Sequence, residues 1–351
     1  MAIASDADPE QDFCVADPNN PTIVNGLVCK NPALVKASDF VFHGLATPGN
    51  THDPLGSFVT PAAAAQFPGI NTLGISMARL DFAKGGLVPP HTHPRATEII
   101  FVVEGSLFVG FVSTNETLFA TTLQKGDVFV FPRGLLHFEL NVGNALLPMM
   151  AIASDADPEQ DFCVADPNNP TIVNGLVCKN PALVKASDFV FHGLATPGNT
   201  NDPLGSSVTP AAAAQFPGIN TLGISMARLD FAKGGLVPPH THPRATEIIF
   251  VVEGSLFVGF VSTNGTLFAT TLQKGDVFVF PRGLLHFELN VWDGTATAIA
   301  ALNSQNPGTQ IQAVALFNSG ISEVVLEKAF GLGEKAVQKI EYAVEAANKK
   351  P

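Results

Sequence analysis

The sequence predicts an all-β fold in two tandem copies, with an α-helical extension on the second copy. Three observations predict it: short apolar segments separated by turn residues recur along the chain, one long stretch is repeated almost unchanged, and only the C-terminal end shows helical periodicity. Many short strands joined by regular turns are typical of a β-sandwich or a β-barrel.

The repeat is the dominant feature of the sequence. Residues 1–142 align with residues 150–291 at a constant offset of 149 and differ at only three positions. The differing pairs are His52 and Asn201, Phe58 and Ser207, and Glu116 and Gly265. Solenoid repeats are far shorter than this unit. The copies are therefore whole domains, produced by a recent duplication or by the joining of two neighbouring gene copies.

Within a copy, the strand pattern is clear in segments of about five residues. In the first copy these segments are Ile99–Val103, Leu107–Val112, Leu118–Thr122 and Val128–Phe131. Turn sequences such as Lys-Gly-Asp and Pro-Arg-Gly separate them. Thr60 and Pro61 have the character of a helix cap and a first-turn proline, so a short helix is predicted over Ala62–Gln66.

The two copies differ at their C-terminal ends. After Trp292 the second copy has two more apolar stretches and then two segments with helical spacing of apolar residues. These four segments are Thr297–Leu302, Gln310–Phe317, Ser322–Phe330 and Glu334–Asn348. The helical tail is expected either to pack on a neighbouring molecule or to cover its own barrel.

We therefore expect a domain over residues 1–142 that is truncated at its C-terminal end, and a complete domain over residues 154–351. The first barrel should be weaker or partly open unless another segment fills the gap. Residues 143–153 join the copies and resemble a signal-peptide remnant, because an apolar run ends in small residues before Ser154. An ordinary apolar linker is the alternative. Met1–Ala4 repeats only the end of that pattern, so the sequence as written has no complete export signal.

The composition excludes several classes of function. The net charge of −12 disfavours binding to nucleic acid and to anionic membranes, which both require a basic face. No apolar run reaches the roughly 18 residues needed to cross a bilayer. Hydrophobic residues make up 46% of the chain and charged residues only 14%, as a packed fold requires. We expect neither nucleic acid nor membrane as a partner.

The cysteines and two short motifs favour a secreted protein. Each copy has two cysteines at the same spacing, which favours one disulfide in each copy over free buried thiols and therefore an oxidising compartment. The cysteines are Cys14 and Cys29, and Cys163 and Cys178. Asn115 and Asn264 begin Asn-x-Thr triplets and are predicted sites of N-glycosylation.

A group of metal-ligating residue types occurs once in each copy. His91 and His93 stand two residues apart, so on a strand both would face the same side. Glu98 begins the next strand after Pro94, and the turn between the strands can return its carboxylate to the same place. His137 follows a Pro-Arg-Gly turn and can supply a fourth ligand. The second copy repeats this set as His240, His242, Glu247 and His286.

Three neutral imidazoles and one carboxylate suit a divalent transition metal and leave coordination positions open for water or a small anion. By ligand type alone, manganese, iron, nickel, copper and zinc all remain possible. His43, His52 and His192 have no such neighbours in the sequence and are interpreted as structural.

The spacing of these residues matches a known family. The pattern G-x5-HxH-x4-E-x6-G spans Gly85–Gly105, and the pattern G-x5-PxG-x2-H-x3-N spans Gly126–Asn141. Both patterns recur at Gly234–Gly254 and Gly275–Asn290. They are the two cupin boxes. With Gln-Asp-Phe-Cys-Val-Ala-Asp upstream of each pair, the chain resembles the plant germin-like proteins.

The resemblance implies a cupin jelly-roll β-barrel for each copy and C-terminal helices on the second. It also implies Mn²⁺ as the bound ion, a hexamer-like homo-oligomer as the assembly, and the extracellular space, apoplast or cell wall as the location. A role in plant defence or in the cell wall is the expectation for such a protein. Asn141 and Asn290, which end the second box of each copy, are interpreted as strand or turn residues rather than catalytic ones.

The family includes oxalate oxidases, superoxide dismutases and members without a settled activity. Oxalate oxidases hold their substrate with asparagines at two positions near the metal. This sequence has apolar residues there: Ala78 and Val88, and Ala227 and Val237. Without these amides a small dianion loses its hydrogen-bond donors, so oxalate oxidation is expected to be weak.

Superoxide dismutation is the leading enzymatic hypothesis. It requires a redox-active metal, an open coordination position and a proton source, and a metal-bound water can be that source. The alternative is a non-enzymatic protein that binds metal in the wall, serves as a storage protein or binds a small ligand, because a fold does not fix a function.

Overall fold

The computed structural model of the protein describes residues 13–19, 27–154, 165–166 and 176–348. Each copy forms a β-barrel of two sheets. The strands of the first copy are β1 (Val41–Phe42), β2 (Ser57–Ala62), β3 (Ile75–Phe82), β4 (Leu87–His91), β5 (Thr97–Val102), β6 (Ser106–Val112), β7 (Leu118–Gln124), β8 (Val128–Phe131), β9 (Leu136–Asn141) and β10 (Leu147–Ser154). Short 3-10 turns precede β1 and β3.

The second copy repeats this order and then extends it. Its strands are β11 (Val190–Phe191), β12 (Ser206–Ala211), β13 (Ser225–Phe231), β14 (Leu236–Thr241), β15 (Glu247–Glu253), β16 (Ser255–Val261), β17 (Leu267–Gln273), β18 (Val277–Phe280), β19 (Leu285–Asn290), β20 (Ala296–Leu302) and β21 (Gln310–Ile311). Three helices follow: α1 (Gln312–Phe317), α2 (Glu323–Phe330) and α3 (Glu334–Asn348). The predicted all-β fold with helices on the second copy is confirmed.

All strand pairs within the sheets are antiparallel, and each barrel has one six-stranded sheet. In the first barrel that sheet has the order β11-β8-β5-β10-β3-β2, and the other sheet has the order β4-β9-β6-β7. In the second barrel the orders are β1-β18-β15-β20-β13-β12 and β17-β16-β19-β14-β21. The four-residue strands β8 and β18 are buried along their whole length, since each lies inside its sheet.

The two copies exchange their first strands. β1 pairs with β18 of the second barrel, and β11 pairs with β8 of the first. We call residues 27–46 and 176–195 the arms. Phe40 of the first arm is fully buried, with its ring centroid 4.8 Å from that of Phe260 and 5.5 Å from that of Phe268. Each arm therefore completes the barrel of the other copy.

The second arm makes the equivalent contacts on the first barrel. The ring centroid of Phe189 lies 4.8 Å from that of Phe111 and 5.5 Å from that of Phe119. His43 and His192, which stand apart from the metal-binding motifs in the sequence, lie where each arm contacts the other copy. His43 Nδ1 is 2.6 Å from Asp276 Oδ1, and His192 Nδ1 is 2.6 Å from Asp127 Oδ1. These two histidines connect the copies and lie apart from the predicted metal ligands.

The junction between the copies is a barrel strand. β10 pairs with β3 and β5, as β20 pairs with β13 and β15 in the second barrel. Met149 and Ile152 are fully buried because β10 is an interior strand of its sheet. We expected a partly open first barrel unless another segment filled the gap, and β10 fills it. Among the described residues, the first copy has no counterpart of the helices α1–α3.

Other local predictions have mixed outcomes. The helical spacing after Ser322 is confirmed by α2 and α3. The short helix predicted over Ala62–Gln66 is wrong, because Ala62 ends strand β2 and residues 63–66 form a turn closed by the amides of Gln66 and Phe67 on the carbonyl of Ala63. Pro61 is compatible with a strand there because β2 lies at the edge of its sheet, where one backbone N–H has no partner strand.

No helix within the described ranges is both long and apolar enough to span a membrane.

Of the predicted disulfide and glycosylation sites, all but Cys163 lie within the described residues. Cys14 and Cys29 form a disulfide. Cys178 is also disulfide-bonded, and Cys163 lies outside the described residues. Asn115 and Asn264 stand in exposed turns that connect β6 with β7 and β16 with β17.

Candidate metal centres

The predicted ligands of the first copy converge on one point in the barrel. His91 ends β4 and lies opposite His137 of β9 in the strand register, so these two imidazoles come from one sheet. Glu98 belongs to β5 of the other sheet. His93 lies in the turn between β4 and β5, where the amide of Ala96 donates to the carbonyl of His93. The cluster therefore connects the two sheets of the barrel.

The ligand atoms are close enough to share one ion. Glu98 Oε2 is 3.0 Å from His93 Nε2 and 3.2 Å from His137 Nε2, and His91 Nε2 is 3.2 Å from His93 Nε2. All four ligand atoms lie within 4.8 Å of one another. Bonds of about 2.1 Å from one metal ion to its nitrogen and oxygen ligands place neighbouring ligand atoms about 3 Å apart.

The second copy builds the same cluster in a more enclosed position. Glu247 Oε2 lies 3.0 Å from His242 Nε2 and 3.3 Å from His286 Nε2, and His240 lies opposite His286 in the register of β14 and β19. All four side chains are buried. Glu247 Oε2 and His286 Nε2 have no hydrogen bond of good geometry within the described residues. Buried atoms of this kind require a partner, and a cation between them supplies it.

Backbone carbonyls fix the tautomer of five of the six histidines. A carbonyl only accepts hydrogen bonds, so the Nδ1 that contacts it carries a proton, and Nε2 is the nitrogen that can lose its proton and bind a metal. The contacts pair His91 with Pro89, His137 with Leu135, His240 with Pro238, His286 with Leu284, and His242 with Gly308. No described carbonyl makes this contact with Nδ1 of His93.

The two ligand glutamates stay ionised in the metal-free protein. Burial would raise the pKa of Glu98, but hydrogen bonds from His137 and His93 lower that pKa to about 2. Burial would also raise the pKa of Glu247, but the neighbouring His242 and His286 hold it well below its ordinary value. Each cluster therefore keeps one negative charge near neutral pH, which favours a cation.

The pKa values of four of the histidines are shifted, two downward and two upward. Burial lowers the pKa of His91, and it lowers the pKa of His240 to about 4. The hydrogen bond to Glu98 raises the pKa of His93. Burial would lower the pKa of His242, but the hydrogen bond to Glu247 outweighs it and raises that pKa. Since metal ligands must be deprotonated, the raised pKa values mean that protons compete with a metal at His93 and His242.

A second buried carboxyl group stands beside each cluster, and the sequence reasoning missed it. Glu139 and Glu288 come two residues after His137 and His286, so they point to the same face of β9 and β19. Both are fully buried, and none of their oxygens has a hydrogen-bond partner among the described residues. Burial, followed by repulsion from the ligand glutamate, raises the pKa of each well above its ordinary value. The two-residue spacing was the signal in the sequence.

These two glutamates predict a specific pH dependence of stability. Below pH 4.5 the group is protonated in both the folded and the unfolded chain, and above it only the folded chain keeps the proton. Stability is therefore lost as the pH rises, by up to about 1.4 kcal/mol per pH unit for each glutamate. Replacing both (Glu139→Gln and Glu288→Gln) should remove this loss.

The measurement is denaturant unfolding of chelator-treated protein between pH 5 and pH 6, which keeps the comparison below the ordinary pKa of histidine. The stability of the variant relative to the wild type should rise with pH. Glu104 is exposed, so Glu104→Gln serves as the control and should follow the wild type. Parallel pH profiles for the double variant and the wild type would contradict the prediction.

The asparagines at the ends of the second cupin boxes organise turns. Asn141 Nδ2 donates to the carbonyls of Ala83 and Ala145, at 2.8 and 2.9 Å. Asn290 makes the same contacts with Ala232 and Gly294. Their amides are occupied by backbone carbonyls, as expected of turn residues.

Comparison with known proteins agrees with this arrangement. The cupin family matches residues 43–173 and 192–338. Germin-like protein 5-1 of Oryza sativa is 54% identical over 198 residues, which cover 56% of this chain and 89% of that protein. Germin-like protein subfamily 2 member 3 of Arabidopsis thaliana is 53% identical over 194 residues, which cover 54% of this chain and 88% of that protein.

Two kinds of solved structure are similar. An oxalate oxidase structure is 43% identical, with a TM-score of 0.53, and the match covers 54% of this chain and 98% of that one. A mutant of Bacillus subtilis oxalate decarboxylase is 15% identical, with a TM-score of 0.67, and the match covers 85% of each chain. The second similarity concerns the fold alone, and it extends over both copies.

Proposed function

Because the chain belongs to the germin-like proteins of the cupin family, we propose that it is a secreted protein that binds one Mn²⁺ in each copy and dismutates superoxide. The observation that carries the proposal is the convergence of three imidazoles and one ionised carboxylate in each barrel. The proposed ligands are His91, His93, Glu98 and His137, and His240, His242, Glu247 and His286.

The residues of the chain have distinct parts in this proposal. Bound manganese would supply the change between two oxidation states that dismutation requires. Hydrogen bonds to carbonyls hold five of the six imidazoles so that their Nε2 atoms point at the ion. Phe131 and Phe280 stack on His137 and His286, with ring centroids 4.5 and 4.6 Å apart, and keep water away from those ligands.

Oxalate oxidation is a weaker candidate despite the similarity to an oxalate oxidase. Ala78 and Val88 are half-buried, and their counterparts Ala227 and Val237 are buried. None of these side chains has a hydrogen-bond donor, so a dianion near the metal would lose contacts that it makes with water. We therefore expect the manganese-supplied protein to show much less activity with oxalate than with superoxide.

Secretion and assembly are part of the same proposal. The disulfide between Cys14 and Cys29 supports an oxidising compartment such as the extracellular space, the apoplast or the cell wall. Glycans on Asn115 and Asn264 and a role in plant defence are proposed with it. The tail exposes Val324, Val325 and Phe330, which supports packing of the helices on another copy of the chain in a homo-oligomer.

The test is metal analysis and activity of the secreted, manganese-supplied protein. We expect two manganese ions per chain, an oligomeric mass and superoxide dismutase activity. Each copy has a complete ligand set, so one ion per chain would mean that only one copy is competent. Full metal content without dismutation would instead favour a metal-binding wall or storage role. A protein that stays metal-free when manganese is supplied would contradict the proposal.

A further inference from the structure

The two metal centres have the same ligands but different surroundings. The side chain of His93 is 43% exposed, whereas that of His242 is 10% exposed. His91 is half-buried and its counterpart His240 is buried. The sequences of the copies around these ligands are identical, so the difference comes from the segments that pack beside them.

Residues 303–311, which follow β20 and which we call the capping segment, cover the second centre. The carbonyl of Gly308 accepts a hydrogen bond from Nδ1 of the ligand His242. β21 at the end of the segment pairs with β14, with Ile311 opposite the ligand His240. The capping segment thus contacts two of the four ligands directly.

Polar contacts anchor the capping segment to the barrel. Arg244 Nε donates to the carbonyl of Asn306 at 2.7 Å, and Arg244 Nη2 donates to Asn306 Oδ1 at 3.1 Å. The amide of Thr246 donates to Asn303 Oδ1 at 2.7 Å. The side chain of Gln305 accepts from the amide of Thr221. These contacts hold the segment at both ends of the turn that carries His242.

The first copy has counterparts of the residues that anchor the capping segment, but none of its described segments covers the metal centre. Arg95 and Thr97 correspond to Arg244 and Thr246 in the repeat. Within the described ranges, no segment takes the place of residues 303–311, and a cavity of about 320 Å³ lies there instead, lined by His93, Arg95, Ser76 and Ala153 among others. This cavity is open toward the outside and reaches the ligand His93.

We infer that the capping segment makes the two metal centres unequal: the first exchanges its ion and admits small anions readily, and the second is closed. The inference rests on the proposed binding of one ion in each copy. The two centres differ in their access to solvent, because a chelator or an anion reaches the first centre through the cavity beside His93. At the second centre the same path is occupied by Gly308 and its neighbours.

The first experiment measures manganese release. The full chain is loaded with Mn²⁺, freed of excess metal and mixed with EDTA, and the release is followed by electron paramagnetic resonance. We expect two phases of equal amplitude whose rates differ at least about tenfold. His93→Ala should remove the fast phase and His242→Ala the slow one. Two ions that leave at one rate would overturn the inference.

Arginine variants test the capping segment itself. Arg244→Ala removes the anchor to Asn306 and should accelerate the slow phase toward the fast one. Arg95→Ala is the matched change in the first copy and should leave the slow phase unchanged. An unaltered slow phase in Arg244→Ala would contradict the role of the segment.

A second readout does not depend on metal. Diethyl pyrocarbonate modifies accessible imidazoles, and mass spectrometry of the metal-free protein can compare the two sites. We expect His93 to react at least about tenfold faster than His242, and Arg244→Ala to increase the reaction of His242 alone. Equal reactivity would overturn the inference. A chain that binds no manganese but shows the expected difference would contradict the proposed function and leave the unequal access standing.

Discussion

The double variant in which Gln replaces Glu98 and Glu247 is expected to purify without bound manganese and without superoxide dismutase activity. Each glutamate is the only anionic ligand of its cluster and lies within 3.3 Å of two histidines. The carboxamide keeps the shape of the side chain but removes the negative charge. Three neutral imidazoles then remain to hold a divalent cation in a buried site.

The size of the effect follows from the role of the group. Loss of a residue that merely orients a metal ligand costs about 10- to 100-fold in metal affinity. Loss of the charged ligand itself should cost more than about 100-fold at each centre. The single variants Glu98→Gln and Glu247→Gln should each lose one of the two ions, because the ligand sets do not share a residue.

The matched controls are Glu104→Gln and Glu253→Gln, which remove the same charge from exposed positions at the ends of β5 and β15. They should retain two ions and wild-type activity. Metal content is measured on dialysed protein, with thermal unfolding to confirm that the variants are folded. If the Glu98 and Glu247 double variant kept both ions, the assignment of the ligands would be wrong.

A second large effect is expected across the exchange of the arms. Phe40→Ala should destabilise the second barrel, although Phe40 belongs to the first copy. The Phe40 ring is fully buried against Phe260, Phe268 and Phe278 of the second copy. Truncation of a buried phenylalanine costs about 3–5 kcal/mol, since it removes apolar contacts and leaves a cavity.

Hydrogen exchange with mass spectrometry can locate this effect. In Phe40→Ala, exchange should increase in β16–β18 and stay unchanged in β6–β8. Phe189→Ala is the reciprocal change, because Phe189 packs on Phe111, Phe119 and Phe129 of the first copy. It should increase exchange in β6–β8 only. Faster hydrogen exchange in β6–β8 of Phe40→Ala, or in β16–β18 of Phe189→Ala, would contradict the swap of the arms between the copies.

The sequence could predict which histidines and glutamates lie close together, because the pattern that identifies them is local. His91 and His93 share a strand face, and the turn after Pro94 returns Glu98 to the same point. Only His137 comes from a distant segment, and the glycine and proline turns before it fixed its place. The strands with turn residues at both ends were also predictable from short-range patterns.

The remaining features depend on contacts between distant segments. The apolar junction 143–153 was predicted to be a signal-peptide remnant or else a linker, and its place in the sheet is set by the gap between β3 and β5. The exchange of the arms could not be predicted, because either barrel offers an arm identical contact residues. Pro61 misled the prediction of a helix since proline suits both a first helical turn and an edge strand.

The exchanged arms also govern the order in which the chain can fold during synthesis. The first barrel cannot be completed until β11 has been made, and β11 begins at residue 190, well after β10 has ended at residue 154. The pair of His43 and Asp276 closes a loop of 233 residues, and such distant contacts form slowly. The first copy should therefore wait in an incomplete state, with Phe111 and Phe119 uncovered, and become resistant to protease only together with the second.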